Sequence, residues 1–347
     1  MSVCIPTYNY ADVVVPAVES VLAQTFEDFE LLIYDDASTD NTVEVLQPFL
    51  DDPRVSLVVQ DQNQGLFANF DQSAARARGR YIKYLCADDW LDPRFLELTV
   101  PVLDAHPDIQ LLTTANWDVD WEGELVAKHI APFGDGPVIA AEHAAKQLAL
   151  WGNVVGMPTN TLIRRDALEA VEGFDAHYAP GADVHLWLKL LAKGDMGWIS
   201  EPLCYWRIHR RHTHDYGPDP SESMFLVWND APQIGGSPAP PTTAQIGLDR
   251  ETIHCAVHAS AHILRGNFGA ARRLMVMATK HVSRIRALAL VLKSGPRLAI
   301  DHTRRMLAIR RARLVIYSPR PRIGPPLNSV EIPAADAQPA SQRRRVG

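Results

Sequence analysis

The amino-acid sequence predicts an α/β protein in which a mostly parallel, doubly wound sheet is followed by a small α-helical region. Two observations support this fold class. Short apolar runs of strand character alternate with amphipathic helical segments through the first hundred residues. Polar clusters occur where several of these strands end. Because the carboxyl ends of parallel strands share one edge of a sheet, the clusters predict a ligand site at that edge.

Strand and helix patterns alternate in order from the amino terminus. Val14, Val18 and Val21 share one face of the first helical segment. The chain after the second strand carries Ser38, whose hydroxyl suits a helix N-cap. Strands are predicted at residues 3–5, 29–34, 55–59 and 81–86, and helices at residues 11–24, from the cap to 50, at 66–78 and from 93 to about 105.

A second region of mixed character follows. Residues 109–126 resemble a hairpin around Trp121 and Gly123. The pattern then passes through residues 140–150 and 161–163, a helix at 184–193 and short strands near Trp198 and Tyr205. Residues 232–243 are uncharged and rich in Pro, Gly, Ser and Thr, which is typical of a linker. We therefore predict an α/β domain at 1–215, a linker at 216–245, a basic α-helical region at 246–316 and a disordered tail at 317–347.

Composition excludes several classes of protein. The 347 residues are 47% hydrophobic and 22% charged, as in an ordinary globular protein rather than a collagenous, coiled-coil or disordered one. The four cysteines form no CxxC pair, which favours free thiols and a reducing compartment. The amino-terminal apolar segment ends at Pro6 without a basic region, and no apolar stretch is long enough to span a bilayer. We expect a cytoplasmic protein, or one at the inner face of the plasma membrane.

The formal net charge of −7 conceals two different regions. Residues 1–230 contain 36 acidic and 15 basic residues, whereas residues 231–347 contain 5 acidic and 19 basic residues. The first region therefore carries −21 and the second +14. A basic appendage on an acidic domain suggests contact with an anionic surface.

Two pairs of adjacent carboxylates follow predicted strands. Asp35 and Asp36 end the second strand, and Asp88 and Asp89 end the fourth. A hard divalent cation such as Mg²⁺ or Mn²⁺ takes oxygen ligands and commonly bridges carboxylates to phosphates. A carboxylate beside the sheet can also accept hydrogen bonds from a base or ribose. The alternative is that these acids are solvated turn residues or helix caps.

Six segments carry a more specific signal. They are VCIPTYN at 3–9, SVLAQTFEDFELLIYDDASTDNT at 20–42, NQGLFANFDQSAARARGRYIKYLCADDWLDP at 63–93, EGFD at 172–175, GADVHLWLKL at 181–190 and EPLCYWRIH at 201–209. In this order they resemble glycosyltransferase family 2. The resemblance covers roughly residues 2–214 and does not extend to the C-terminal third.

The resemblance implies a GT-A fold and an inverting transfer of a sugar from a nucleotide-sugar donor, most commonly a UDP-sugar. It implies that Pro6, Thr7 and Tyr8 line the base pocket. It further implies that Asp36 recognises the base, with Asp35 beside it. These five residues are thus the expected base-binding set.

The acid pair at 88–89 corresponds to the family's DxD motif. The resemblance implies that Asp88 contacts ribose or the metal and that Asp89 binds Mg²⁺ or Mn²⁺ with the donor diphosphate. Such an ion would neutralise the charge that develops on the leaving nucleoside diphosphate.

The acceptor hydroxyl needs a base, and the residue that matches the family's base is Asp183. Many members have a glutamate immediately before this aspartate, whereas this chain has Ala182. The base is therefore retained, but acceptor contacts attributed to that glutamate do not carry over. The alternative interpretation of Asp183 is an N-cap of the helix at 184–193.

Other candidates stay open between functional and structural interpretations. His209 matches a family histidine near metal or phosphate, and Arg211 belongs to the same basic stretch. Arg80 is a candidate on the donor side. Trp187 is suited either to stacking on an acceptor sugar or to the core.

The basic C-terminal region allows two interpretations. Arg297, Arg304 and Arg311 repeat every seven residues beside apolar positions, as in an amphipathic helix that lies on anionic lipid. Such a helix would suit a lipid-linked saccharide acceptor, as in bacterial surface-polysaccharide synthesis. The alternative is a helical bundle that packs on the α/β domain. Nucleic-acid binding is not expected, because no recognised module supports it.

Two other functions remain as alternatives to sugar transfer. A nucleotidyltransferase acting on sugar phosphates should show a Gly-rich basic loop after the first strand, and residues 6–9 are not such a loop. A non-catalytic nucleotide-sugar-binding assembly protein would not need Asp36, Asp89 and Asp183 together.

Overall fold

The computed structural model describes residues 1–134, 136–208, 220–264, 266–282 and 286. Within these residues the strands form a single ten-stranded mixed sheet with helices on both faces. The strands in chain order are β1 (Ser2–Thr7), β2 (Glu30–Asp35), β3 (Val55–Val59), β4 (Tyr81–Tyr84), β5 (Trp90–Leu91), β6 (Ile109–Val119), β7 (Leu125–His129), β8 (Val138–Ile139), β9 (Thr161–Arg164) and β10 (Asp195–Arg207).

The helices follow the predicted alternation. They are α1 (Val14–Leu22), α2 (Thr42–Leu46), α3 (Leu66–Ala75), α4 (Phe95–Ala105), α5 (Ala141–Trp151), α6 (Arg165–Ala170), α7 (Ala182–Leu191), α8 (Pro220–Asp230), α9 (Pro241–Leu264) and α10 (Phe268–His281). The predicted second helix is shorter than expected, because the chain tightens into a 3₁₀ turn at Gln47–Asp51, where Pro48 occupies an early position.

The sheet order is β3-β2-β1-β4-β9-β6-β10-β5, with β7 paired to β6 and β8 to β10. The pairs β1/β2, β2/β3, β1/β4 and β6/β10 are parallel, while β9 is antiparallel to both β4 and β6. The carboxyl ends of β1, β2 and β4 therefore lie at one edge, as the sequence predicts.

Two apolar cores cover the two faces of the sheet. One contains α1 and α4, through residues such as Val18 and Phe95. The other contains α3, α5 and α7, and it continues into α8 and α9 through Trp228 and Cys255. The C-terminal helices that the structure describes thus pack on the α/β layers, and none of them is long and apolar enough to cross a membrane.

Two predictions about local structure were wrong. The expected linker at 216–245 contains α8, whose Phe225, Val227 and Trp228 are fully buried, and the first residues of α9. Burial of these three side chains supplies the apolar contacts that hold the segment in place. The short strands near Trp198 and Tyr205 are one continuous strand, β10, with irregular pairing near Pro202.

The predicted helix at 297–311 and tail at 317–347 lie outside the described residues.

Candidate active site

The three polar segments that follow β1, β2 and β4 meet at the carboxyl edge of the sheet. The Asp36 N–H donates to the Thr7 carbonyl at 2.9 Å, and the Leu85 N–H donates to the Cys4 carbonyl at 2.9 Å. These contacts continue the parallel ladders past the strand ends. They bring the turns that carry the two acid pairs to either side of β1.

The two acids after β2 have different partners. Asp35 closes its own turn, because its carboxylate accepts from the Ser38 N–H at 2.8 Å and from the Ser38 hydroxyl. The Asp36 carboxylate accepts from the Gln64 and Gly65 N–H groups, at 2.7 and 2.9 Å. Asp36 therefore fixes the loop before α3 at the site edge, a contact that sequence reasoning did not foresee.

The end of β1 contains buried polar atoms without a hydrogen-bond partner. The Thr7 hydroxyl and the Asn69 side-chain oxygen are both buried and unpaired, while the Asn69 Nδ2 donates to the Tyr34 carbonyl at 3.0 Å. Pro6 is also buried, whereas Tyr8 is 40% exposed. Unpaired buried polar atoms are uncommon in proteins, and they are the groups that a bound ligand can satisfy. Asn69 was missed, although a polar residue on the apolar face of α3 was its signal.

The acid pair after β4 is buried and held by distant parts of the chain. Asp89 accepts from the Thr159 hydroxyl at 2.6 Å and from the Arg207 N–H at 2.9 Å, and the Arg207 Nε donates to the Asp88 carbonyl at 2.9 Å. Burial, together with the nearby Asp88 charge, raises the pKa of Asp89 well above its usual value. A cation bound beside this carboxyl group would therefore stabilise its ionised form.

This pair provides suitable ligands for a divalent cation. Ligand atoms of Cys86, Asp88 and Asp89 lie within 4.8 Å of one another. Hard cations such as Mg²⁺ and Mn²⁺ prefer carboxylate oxygens to sulfur. Burial raises the pKa of Cys86 well above its usual value, which disfavours the thiolate form in which sulfur binds a metal. The chemistry of this donor set fits a hard divalent ion held by the two aspartates.

Lys83 lies beneath the acid pair, in the core. It is fully buried, its Nζ donates to the Thr159 and Thr161 carbonyls, and it lies 4.1 Å from the centre of the Phe95 ring. Burial lowers the pKa of Lys83 to about 8. Lys83 thus supports the backbone of the residue that holds Asp89, rather than reaching the edge of the site.

Asp183 lies in the first turn of α7 and is not its N-cap, since that position is Gly181. Its carboxylate accepts from the Val184 N–H at 2.7 Å and from the Asn153 Nδ2 at 2.6 Å. Burial raises the pKa of Asp183 to about 7, and these hydrogen bonds oppose the increase. The residue as a whole is half-buried. A carboxyl group with this pKa can accept a proton near neutral pH.

The segment between α5 and β9 connects the two acidic centres. Asn153 at its start binds Asp183, and Thr159 near its end binds Asp89. Asn153 and Thr159 are six positions apart in the chain, so one short segment supports both acids. The alternating pattern of the sheet gives no signal for the roles of Asn153 and Thr159.

Two predicted site residues lie away from this arrangement, and two others are not among the described residues. Trp187 is fully buried, and its indole N–H donates to the Gly156 carbonyl at 3.2 Å, so it cannot stack on a sugar. Arg80 precedes β4, at the opposite edge of the sheet, where its exposed side chain pairs with Asp104 at 2.8 Å. His209 and Arg211 lie outside the described residues.

Comparison with known proteins identifies the family. The model of glycosyl transferase family 2 matches residues 2–172, which include β1 to β9 and both acid pairs. The chain contains a family 2 glycosyltransferase domain. Chondroitin synthase from Escherichia coli is 29% identical to this chain over 234 residues, which are 67% of the chain and 32% of that protein.

Solved structures show that the glycosyltransferase domain has a GT-A fold. S. aureus TarS 1–349 in complex with UDP superposes with a TM-score of 0.63 at 17% identity, covering 93% of this chain and 94% of that one. The mannosyltransferase PcManGT from Pyrobaculum calidifontis, in complex with GDP-Man and Mn²⁺, gives a TM-score of 0.51 at 20% identity, covering 90% and 84%. The predicted fold class is therefore confirmed.

The aligned part of this chain spans about a third of the length of the E. coli chondroitin synthase.

Proposed function

We propose that this protein is an inverting, metal-dependent glycosyltransferase. It moves a sugar from a nucleotide-sugar, most naturally a UDP-sugar, to an acceptor hydroxyl in polysaccharide or glycoconjugate synthesis. The observation that carries the proposal is that one short segment after α5 contacts Asp183 through Asn153 and Asp89 through Thr159. An acidic pair suited to a cation and a half-buried carboxyl group are thus supported by one segment, and the family 2 match covers both the acid pair and this segment.

The residues divide into three groups by chemistry. Pro6, Thr7, Tyr8, Asp35 and Asp36 surround the end of β1 and bind the nucleoside. The unpaired Thr7 hydroxyl, buried beside this edge, supports the assignment. Hydrogen bonds from a base or ribose would satisfy it.

Asp88 and Asp89 would hold Mn²⁺ or Mg²⁺, a Lewis acid that stabilises charge on the leaving diphosphate. The Arg207 N–H and the Thr159 hydroxyl orient Asp89 for this purpose. Each Asp89 oxygen accepts one hydrogen bond from a described residue, and a carboxylate oxygen has two lone pairs, so capacity for a ligand remains.

Asp183 is the general base. It removes the proton of the acceptor hydroxyl as that oxygen attacks the anomeric carbon from the face opposite the departing nucleotide. A single displacement of this kind inverts the anomeric configuration. A pKa of about 7 suits this task, since the carboxylate is largely ionised at slightly alkaline pH yet still basic.

A thermal-shift panel tests the donor site. UDP-sugars, GDP-sugars and free nucleotides should be compared with and without Mn²⁺. We expect a shift of several degrees that requires both nucleotide and metal, since a ligand bound only to the folded state stabilises it.

An Arg80→Ala variant should respond like the native protein, because Arg80 pairs with Asp104 away from the site. If no nucleotide-sugar gives a metal-dependent shift, the donor-site assignment is wrong. A shift with nucleoside triphosphates alone would favour the nucleotidyltransferase alternative.

Complexes of structurally similar proteins support a nucleotide-sugar donor. TarS has been solved with UDP and UDP-GlcNAc, and PcManGT with GDP-Man and Mn²⁺. E. coli chondroitin synthase supports a saccharide acceptor.

We further propose that the acceptor is presented at a membrane surface to which α10 binds. Phe268 and Val276 of α10 are 67% and 58% exposed, and Ile263 at the end of α9 is 50% exposed. The exposed Arg272 and Arg273 lie beside them, and α10 contains no acidic residue. Exposed apolar side chains flanked by cations are typical of helices that lie on anionic lipid. On this proposal the protein is cytoplasmic and lies at the inner face of the plasma membrane.

Vesicle flotation tests the membrane contact. The native chain should bind phosphatidylglycerol-containing vesicles and not neutral phosphatidylcholine vesicles. The Phe268→Glu/Val276→Glu variant should lose about tenfold or more of this binding, because each basic or apolar contact contributes on the order of 1 kcal/mol.

Leu125→Glu is the matched control, since Leu125 on β7 is 59% exposed and distant in sequence from α10. Equal binding by the native chain and the double variant would contradict the role of α10.

A further inference from the structure

The contact between Asn153 and Asp183 has a fixed direction. The Asn153 Nδ2 donates to the Asp183 Oδ2 at 2.6 Å and also to the Gly156 carbonyl at 3.1 Å. At the other end of the same amide, Oδ1 accepts from the Gly156 N–H at 3.2 Å. Rotating the amide by 180° would place N–H against N–H and oxygen against oxygen. The backbone of Gly156 therefore forces the donor end of Asn153 towards Asp183.

Gly156 is itself held against α7. Its carbonyl accepts from the Trp187 indole N–H, and Trp187 lies one helical turn beyond Asp183. The φ of Gly156 is +96°, a conformation that favours glycine, and a Cβ on Gly156 would lie 2.8 Å from Asn160 Cγ. Trp187 is fully buried, so this attachment is rigid. The carboxylate and its amide partner are thus both anchored to α7.

The amino-terminal side of the same loop is supported by α9. Gly152 has a φ of +92°, and the guanidinium of Arg250 occupies the place where a Cβ on Gly152 would point. Trp151, the last residue of α5, is exposed. The packed C-terminal helices therefore contribute to the position of Asn153.

The charged groups around α7 have partners of their own. Asp230 of α8 accepts from the Tyr178 hydroxyl. Lys189 donates to two backbone carbonyls, those of Val171 and Gly173. Asp118 of β6 pairs with His129. His185 stacks on Tyr178, and Arg250 pairs with Glu251.

In the described part of the chain, the pKa of Asp183 reflects burial, two backbone N–H groups and the Asn153 amide, rather than an ionised neighbour.

We propose that Asn153 is a positioning residue for the general base: its clamped amide stabilises the ionised Asp183 carboxylate and leaves the remaining oxygen lone pairs for the acceptor hydroxyl. The proposal rests on the function proposed for Asp183. A fixed N–H donor favours the charged form of a carboxylate and opposes the effect of burial. Without it, Asp183 would hold a proton at pH values where the reaction requires a free carboxylate.

Two substitutions separate this role from a packing role. Asn153→Ala removes the donor. Asn153→Asp keeps an oxygen that accepts from Gly156 but places a carboxyl group opposite Asp183. We expect the native rate under donor saturation to rise through about pH 7, with a midpoint about one unit higher for Asn153→Ala and higher still for Asn153→Asp. The Asn153→Ala rate should be about tenfold lower than native below the midpoint and equal to native above pH 9.

Gln147→Ala is the control, because Gln147 lies on α5 and bonds only to His143 among the hydrogen bonds described. Its midpoint should equal the native one. A rate reduced by the same factor at every pH would show that Asn153 acts only through packing, and an unchanged midpoint would overturn the proposal.

A titration that needs no activity completes the test. Carboxyl ¹³C NMR of aspartate-labelled protein, with the Asp183 signal assigned by its loss in Asp183→Asn, reports the pKa of Asp183 directly. An increase of about one unit in Asn153→Ala supports the proposal even if no sugar transfer is found, in which case only the proposed function fails. No increase overturns the proposal even if the enzyme is active.

Discussion

Replacing Asp183 with asparagine is expected to abolish sugar transfer and to leave nucleotide-sugar binding intact. The amide has the same shape as the carboxylate and can still accept from the Val184 N–H, but it cannot take a proton from the acceptor hydroxyl. Loss of a general base typically costs roughly 10²–10⁴-fold in rate. The measurement is turnover of the UDP-sugar with a saccharide acceptor, together with the metal-dependent thermal shift produced by the donor.

Asp166→Asn is the matched control for this variant. Asp166 occupies the first turn of α6 and accepts from the next backbone N–H at 2.8 Å, as Asp183 does from Val184, but it is exposed. The control should keep native turnover. Native-like turnover by Asp183→Asn would show that another group is the base.

Replacing Asp89 with asparagine is expected to eliminate the metal-dependent stabilisation by nucleotide-sugars and to reduce transfer by about 100-fold or more. The amide keeps an oxygen for the Arg207 N–H and a group that can bond the Thr159 hydroxyl, so the fold should persist. What it loses is the negative charge that a divalent cation requires. Thermal shift with UDP and increasing Mn²⁺ measures the effect.

Asp104→Asn serves as the control, since Asp104 lies at the opposite edge of the sheet and pairs with Arg80. It should bind the donor and Mn²⁺ normally. If Asp89→Asn shows the native dependence on Mn²⁺, the cation is not held by the acid pair.

Much of the fold follows from the periodicity of apolar residues. The strand at 55–59 has the predicted bounds, and the other early strands differ from their predicted bounds by at most two residues at either end. Buried parallel strands are continuous apolar runs, which is a strong local signal. The region after residue 215 was harder to predict, because Pro and Gly near 232–243 resemble a linker although the flanking segments are helical. What holds α8 in place is burial of Trp228 against other elements, which local patterns do not report.

The candidate site was predictable only in part. Asp36, Asp89 and Asp183 each belong to a recognisable motif, and adjacent carboxylates after an apolar strand are unusual enough to be noticed. Trp187 illustrates the limit, because an aromatic residue on an amphipathic helix has the same pattern whether it faces a ligand or the core. Arg80 and Lys83 illustrate another limit, since they lie three residues apart with one exposed and the other fully buried.

By itself the sequence determined the order of strands and helices and the placement of acids at the carboxyl edge, because both depend on residues close together in the chain. Only the tertiary structure decided which side chains hold those acids. Thr159 reaches Asp89 across 70 residues, Arg207 reaches it across 118, and Asn153 reaches Asp183 across 30. These contacts depend on how the sheet brings β4, β9 and β10 together, and hydrogen-bond geometry of that kind leaves no periodic trace in the sequence.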